Sequence, residues 1–153
     1  MIWTTLTTTD ILSSMTTRER EDFGKTSVAV AVPDRVLPIL SDLTAEIRGY
    51  ITTWSPNTIS ADTTLIPPSF KAKALAIARW RVLITIPGYQ PGDARKLEYE
   101  KADAFFLSVA KGTIRPEPAD DAIVTATPAE KPSRVEIVSA PGSRTGRSRM
   151  DGI

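Results

Sequence analysis

The helical periodicity of the sequence stops at Gly112, and this break limits what the chain can fold into. Segments with apolar residues at helical spacing follow one another before it. The remaining residues, 113–153, are rich in Pro, Ser, Thr and Arg and contain too few apolar side chains for a core of their own. The sequence therefore predicts a helical domain over residues 1–112 and an extended tail over residues 113–153.

The composition argues against most kinds of active site. The chain has 153 residues, 41% of them hydrophobic, which suits one modest domain. It contains no Cys and no His, so disulfides, thiolate nucleophiles, imidazole bases and the commonest transition-metal ligands are excluded. We therefore expect neither an enzyme nor a cofactor.

The charge and the apolar runs bear on the partners. A net charge of +1 provides no general attraction for nucleic acid or for an anionic membrane. Residues 1–5 lack the basic start and apolar centre of a signal peptide, and no apolar run is long enough to cross a bilayer. We expect a soluble protein with no membrane partner.

The periodicity predicts an all-α fold, a small bundle of four to five helices with a long extended tail. Two short helices, or one kinked helix, should follow capping residues at 7–10 and at Thr16 or Thr17 and stop at Gly24. Longer helices are predicted over residues 33–54, 68–86 and 93–111, with Gly112 as the final C-terminal cap. The helix over 68–86 is apolar on most sides, which is typical of the centre of a bundle.

The first long helix has one apolar face and one polar face. Arg48 falls on its solvent side together with Asp42 and Glu46. Residues 26–32 suggest a short extended segment, and residues 55–67 a polar loop. In the tail, residues 123–124 and 135–138 could form short strands. The apolar face comprises Val36, Leu40, Leu43, Ile47, Tyr50 and Trp54.

Two arginines interrupt the apolar helix over 68–86. Arg79 and Arg81 flank Trp80, and one of them could form an inter-subunit ion pair or line a channel. The alternative, which the sequence favours, is that their stems pack on the bundle and their guanidinium groups reach outward. Trp54 and Trp80 recur at helical spacing with other apolar residues, which indicates packing rather than ligand binding.

The end of the tail is basic. Arg144, Arg147 and Arg149 could bind phosphates or an acidic protein groove, or they could form a solubilising terminus. The carboxylates offer no convincing catalytic pair. Asp120 and Asp121 lie in a predicted loop, and Glu98 is spaced for a surface ion pair with Lys101.

The order of several segments resembles the head–tail connector proteins of tailed bacteriophages, particularly the Mu-like branch. These proteins are also called adaptor or head-completion proteins. The resemblance covers residues 3–113 and, more loosely, the tail. It rests on residues 6–12 (LTTTDIL), 45–51 (AEIRGYI), 67–70 (PPSF), 76–80 (AIARW), 99–102 (YEKA), 109–112 (VAKG) and 147–153 (RSRMDGI).

The resemblance implies a structural virion protein, made in the bacterial cytoplasm, that forms a ring of usually twelve copies. The ring would bind the portal protein, extend the DNA channel and present a surface to a tail or head-closure protein. Double-stranded DNA would pass through without sequence-specific binding. We expect the end of the tail to order on the portal or on a neighbouring protomer, through Val135, Ile137, Arg144, Arg147, Arg149, Met150 and Ile153.

The main alternative belongs to a different class of protein. A small helical DNA-binding or regulatory module with a basic tail would need an exposed polar recognition helix. The helix over 68–86 is too apolar for that role, and the helix over 33–54 is too regularly amphipathic. Tight, sequence-selective binding in a gel shift would favour this alternative.

Overall fold

The computed structural model describes residues 2–26, 32–54 and 57–123, and it confirms the predicted all-α class. The helices are α1 (Thr8–Ser14), α2 (Thr17–Thr26), α3 (Val32–Thr53), α4 (Lys71–Leu83) and α5 (Asp93–Ala110). A short 3-10 helix, Pro68–Phe70, precedes α4. Four two-residue strands accompany them: β1 (Thr4–Thr5), β2 (Ile59–Ser60), β3 (Leu65–Ile66) and β4 (Ala122–Ile123).

The first two helices begin with capping boxes. At α1 the amide of Asp10 donates to Thr7 Oγ1 (3.2 Å), and the amide of Thr7 donates to Asp10 Oδ2 (3.0 Å). At α2 the amide of Glu19 donates to Thr16 Oγ1 (3.3 Å), and the amide of Thr16 donates to Glu19 Oε2 (2.7 Å). Thr7 and Thr16 are thus the caps, because their side chains satisfy amides that a first turn leaves unpaired.

The predicted stop at Gly24 is wrong, because α2 continues to Thr26. A glycine inside a helix costs only about 1 kcal/mol relative to alanine, and burial of Phe23 holds this last turn against the body. The predicted extended segment over 26–32 is also wrong at both ends, since Thr26 belongs to α2 and Val32 to α3, and its residues 27–31 lie outside the described residues.

The core lies between α3, α4 and α5. α4 packs against α1, α3 and α5, which confirms its predicted central position. Along α3, Val36, Leu40, Leu43 and Ile47 are buried, as the periodicity predicted. Ala102, Phe106 and Val109 of α5 are buried against them. None of the described helices is long and apolar enough to cross a membrane.

The predicted loop over 55–67 contains two of the strands. β3 pairs antiparallel with β1, with Thr4 opposite Ile66 and Thr5 opposite Leu65. β2 pairs antiparallel with β4, with Ile59 opposite Ile123 and Ser60 opposite Ala122. Each strand is too short to give a periodicity signal, so only its partner from a distant part of the chain defines it.

Candidate functional site

Arg48 of α3 is buried, which the sequence did not predict. Its side chain is buried, with the residue 8% exposed, so the predicted solvent position is wrong. Nη1 donates to the carbonyl oxygens of Asp62 (2.9 Å) and Leu65 (3.0 Å), and Nη2 donates to that of Ser60 (2.8 Å). Burial lowers the pKa of Arg48, and the charges of Asp62 and Asp121 oppose this shift. Arg48 thereby fixes residues 60–65 on α3.

Residues 113–123 fold back onto the helices. The indole Nε1 of Trp3 donates to the carbonyl oxygen of Glu117 (3.0 Å), and the Ser69 hydroxyl donates to the Glu117 carboxylate (2.7 Å). The Ser60 hydroxyl donates to Asp121 Oδ2 (2.7 Å), and Ala119 is buried. The start of the predicted tail is therefore anchored at several points on the body.

This anchoring defines where the rest of the tail leaves the body. Ile123 of β4 pairs with Ile59 of β2 and is the last residue that the structure describes, so the chain continues to residue 124 from a position beside β2. The predicted tail contacts at Val135, Ile137, Arg144, Arg147, Arg149, Met150 and Ile153 lie outside the described residues. Val124 and the predicted strand over 135–138 lie outside them as well.

Arg79 belongs to a network of charges inside the chain. Its Nη1 donates to the carbonyl oxygen of Ser14 (2.8 Å), and its Nη2 pairs with the Glu98 carboxylate. Arg95 also pairs with Glu98 (3.0 Å) and donates from Nε and Nη2 to both oxygens of Glu19 (2.9 and 3.0 Å). Glu98 thus pairs with Arg79 and Arg95, whereas the sequence predicted a pair with Lys101. The network joins α2, α4, α5 and the end of α1.

Glu19 is the most buried member of this network. Burial raises the pKa of Glu19, but the hydrogen bonds from Arg95 and from the amide of Thr16 lower it by more. The net pKa of Glu19 therefore lies below its ordinary value. A carboxylate with a lowered folded pKa stabilises the fold above its unfolded pKa, and this contribution is lost as the pH falls through the folded pKa.

We expect Glu19→Gln to destabilise the protein by about 2 kcal/mol at pH 7, since the charge-assisted hydrogen bonds to Arg95 are lost. Urea denaturation followed by circular dichroism from pH 7 to pH 3 measures the effect. The difference from wild type should shrink as Glu19 itself becomes protonated in acid. Glu21→Gln, on the exposed side of α2, is the matched control. A difference that stays constant with pH would contradict this role for the carboxylate.

Arg81 and the two tryptophans also make contacts within the chain. Arg81 pairs with Glu46 of α3, and Trp80 stacks on Tyr99 with ring centroids 5.4 Å apart. Trp54 lies against Gly112. These contacts confirm that both tryptophans pack on the body. An inter-subunit or channel role for Arg79 or Arg81 stays a prediction, and each guanidinium already has partners in its own chain.

A groove of about 360 Å³ lies beside the middle of α3. Leu6, Leu37, Leu40 and Ala45 form its apolar part, and Leu37 is 52% exposed. Among the described residues, no charged side chain lines this groove. The rest of its lining carries hydroxyl groups, from Thr5, Ser41, Thr44, Thr63 and Thr64.

Sequence reasoning missed both Arg48 and this groove. The groove brings together residues 5–6, 37–45 and 63–64, which are far apart in the chain and carry common side chains. The only sequence signal was the apolar Leu37, which falls outside the buried face of α3. Comparisons of the chain with protein-family models, curated proteins and solved structures find no match.

Proposed function

We propose that the protein is a structural component of a bacteriophage virion, a head–tail connector that forms a ring between portal and tail. One observation of the structure carries this proposal: a helical body anchors residues 113–123 and presents residues 124–153 from a defined point beside β2. A connector needs both a rigid body, which forms the wall of the ring, and a segment that extends from it to bind an adjoining component.

The segments that carry the family resemblance support the proposal through their places in the body. Residues 6–12 contain the Thr7–Asp10 capping box, and residues 45–51 contain Arg48. Residues 67–70 form the entry to α4, and residues 109–112 form the end of α5 against Trp54. These four segments of the resemblance therefore lie at positions that shape the body.

The body also exposes large apolar side chains that a ring could bury. Leu37 is 52% exposed on α3, Ile84 is 55% exposed after α4, and Leu97 and Leu107 are 50% and 44% exposed on α5. A cyclic ring joins two different surfaces of each protomer, so exposed apolar residues on separate helices suit it. The net charge of +1 suits a channel through which DNA moves, because few positive charges are available to bind its phosphates strongly.

The proposed partners are the portal protein, a tail or head-closure protein and other copies of this chain. Electron microscopy of portal complexes mixed with the full-length protein tests the proposal. We expect a ring of added density below the portal and particles competent for tail joining. Portal complexes that remain undecorated at high protein concentration would contradict it.

A further inference from the structure

We propose that the groove beside α3 binds residues 135–138 of a neighbouring copy of this chain. The inference rests on the proposed ring, because it supplies the contact by which one protomer grips the next. Its evidence is separate from the family resemblance and comes from the groove, the tail sequence and the point at which the tail leaves the body.

The chemistry of the groove selects among the parts of the tail. Its described lining is apolar and hydroxylic, with no carboxylate to pair with a guanidinium group. The arginine-rich residues 144–149 would lose hydration there without gaining an ion pair, which is unfavourable. Residues 135–138 (VEIV) carry one charge among three large β-branched side chains and match the lining far better.

An extended conformation of this segment would place two of its three apolar side chains on the side opposite its one charge. Successive side chains of a strand point to opposite sides, so Val135 and Ile137 share one side, and Glu136 and Val138 share the other. The apolar pair can then contact Leu37 and the partly buried Leu6 while Glu136 stays in water. A groove of about 360 Å³ is at the small end of the range for binding pockets, which suits two aliphatic side chains.

The direction of the chain at Ile123 favours the groove of a neighbour over the protein's own. β4 runs antiparallel to β2, so the chain leaves past Ile59 towards residues 57 and 58. That direction leads away from residues 63 and 64, which line the groove. The intervening residues 124–134 span at most about 40 Å when fully extended. Such a length would allow residues 135–138 to extend to a protomer in direct contact, whereas binding to the protein's own groove requires a reversal of the chain.

Disulfide trapping in the full-length protein tests the inference, since the chain has no cysteine of its own. The groove variant is Ser41→Cys, and the tail variant is Ser139→Cys, directly after the proposed segment. Mixing and oxidising the two proteins should give a covalent heterodimer on a non-reducing gel. Its yield should exceed severalfold that of the control pair, Ala104→Cys with Ser139→Cys, because Ala104 is exposed on α5.

Two further cross-linking measurements complete the test. Adding Leu37→Asp to the Ser41→Cys chain should reduce the heterodimer to the control yield, since it places a charge in the apolar part of the groove. Leu37 is half-exposed, so circular dichroism should show an unchanged fold. In a chain with both cysteines, an intramolecular disulfide at low concentration would overturn the assignment to a neighbouring copy. Heterodimer at only the control yield would overturn the groove as the binding site.

Failure of this inference can be told apart from failure of the proposed function. Rings below the portal without groove-specific cross-linking would leave the connector function standing and remove only the groove contact. Groove-specific cross-linking with undecorated portals would establish a contact between copies and remove the connector function.

Discussion

Replacing Gly112 with alanine is expected to destabilise the protein more than the same replacement at any other glycine that the structure describes. Gly112 ends α5 with φ of +74°, a left-handed conformation that side chains with a Cβ rarely adopt. A Cβ at this position would also lie within 2.7 Å of three ring atoms of Trp54. Backbone strain and overpacking together should destabilise the fold by roughly 2–5 kcal/mol, which thermal or urea denaturation measures.

Gly88→Ala is a matched control for this substitution. Gly88 has nearly the same backbone conformation, with φ of +73°, but apart from its two chain neighbours no residue has an atom within 4 Å of the position its Cβ would occupy. It should cost only the strain of the backbone, about 1 kcal/mol. The difference between the two variants isolates the contact with Trp54. Equal losses for Gly112→Ala and Gly88→Ala would contradict the close packing of the ring on the chain.

Replacing Arg48 with methionine is the second substitution with a large expected effect. Methionine preserves most of the buried aliphatic stem but leaves the carbonyl oxygens of Ser60, Asp62 and Leu65 without their donor. The bond to the Ser60 carbonyl is buried and the other two are partly buried, so we expect the loss of their charged donor to lower the free energy of unfolding by about 3 kcal/mol. Residues 60–65 should detach from α3, which hydrogen exchange would detect locally.

Arg20→Met is the control for the removal of a positive charge. Arg20 is exposed on α2, so its replacement should change stability by no more than about 0.5 kcal/mol. Arg48→Lys adds a second comparison, because lysine keeps the charge but cannot direct a planar fork at separate carbonyl groups. A fully stable Arg48→Met variant would show that residues 60–65 are held by other contacts.

The sequence predicted the helices well because their signals are local. Apolar residues at spacings of three and four placed Val36 to Ile47 in the core, and Gly112 was recognisable as a cap because few other residues tolerate its conformation. Gly24 misled for the opposite reason. Gly24 lies inside α2, directly after the buried Phe23, and its helical conformation does not end the helix.

The features that sequence reasoning could not supply depend on contacts between distant residues. Arg48 was placed on the solvent side because arginine is usually exposed, whereas its position is set by carbonyl groups 12 to 17 residues further along the chain. Residues 113–123 looked like tail because they have no periodicity, yet Trp3, Ser60 and Ser69 hold them. For the proposed contact between copies, the sequence predicted the tail residues but not the groove.

These contacts also change where the chain should be cut to separate body from tail. Truncation after Gly112, the boundary that the sequence suggested, would remove the buried Ala119 and the hydrogen bonds to Glu117 and Asp121. Truncation after Ile123 keeps β4 paired with β2 and removes only residues beyond it. The shorter body is expected to be less stable than the longer one.

Electron microscopy of the portal with full-length protein, and with the chain truncated after Ile123, tests the division between ring wall and fastening tail most directly. We expect rings below the portal for the full-length chain. For the truncated chain we expect a helical circular dichroism spectrum without stable decoration of the portal. Portals decorated equally by both chains would contradict the fastening role of the tail, and portals decorated by neither would contradict the connector function itself.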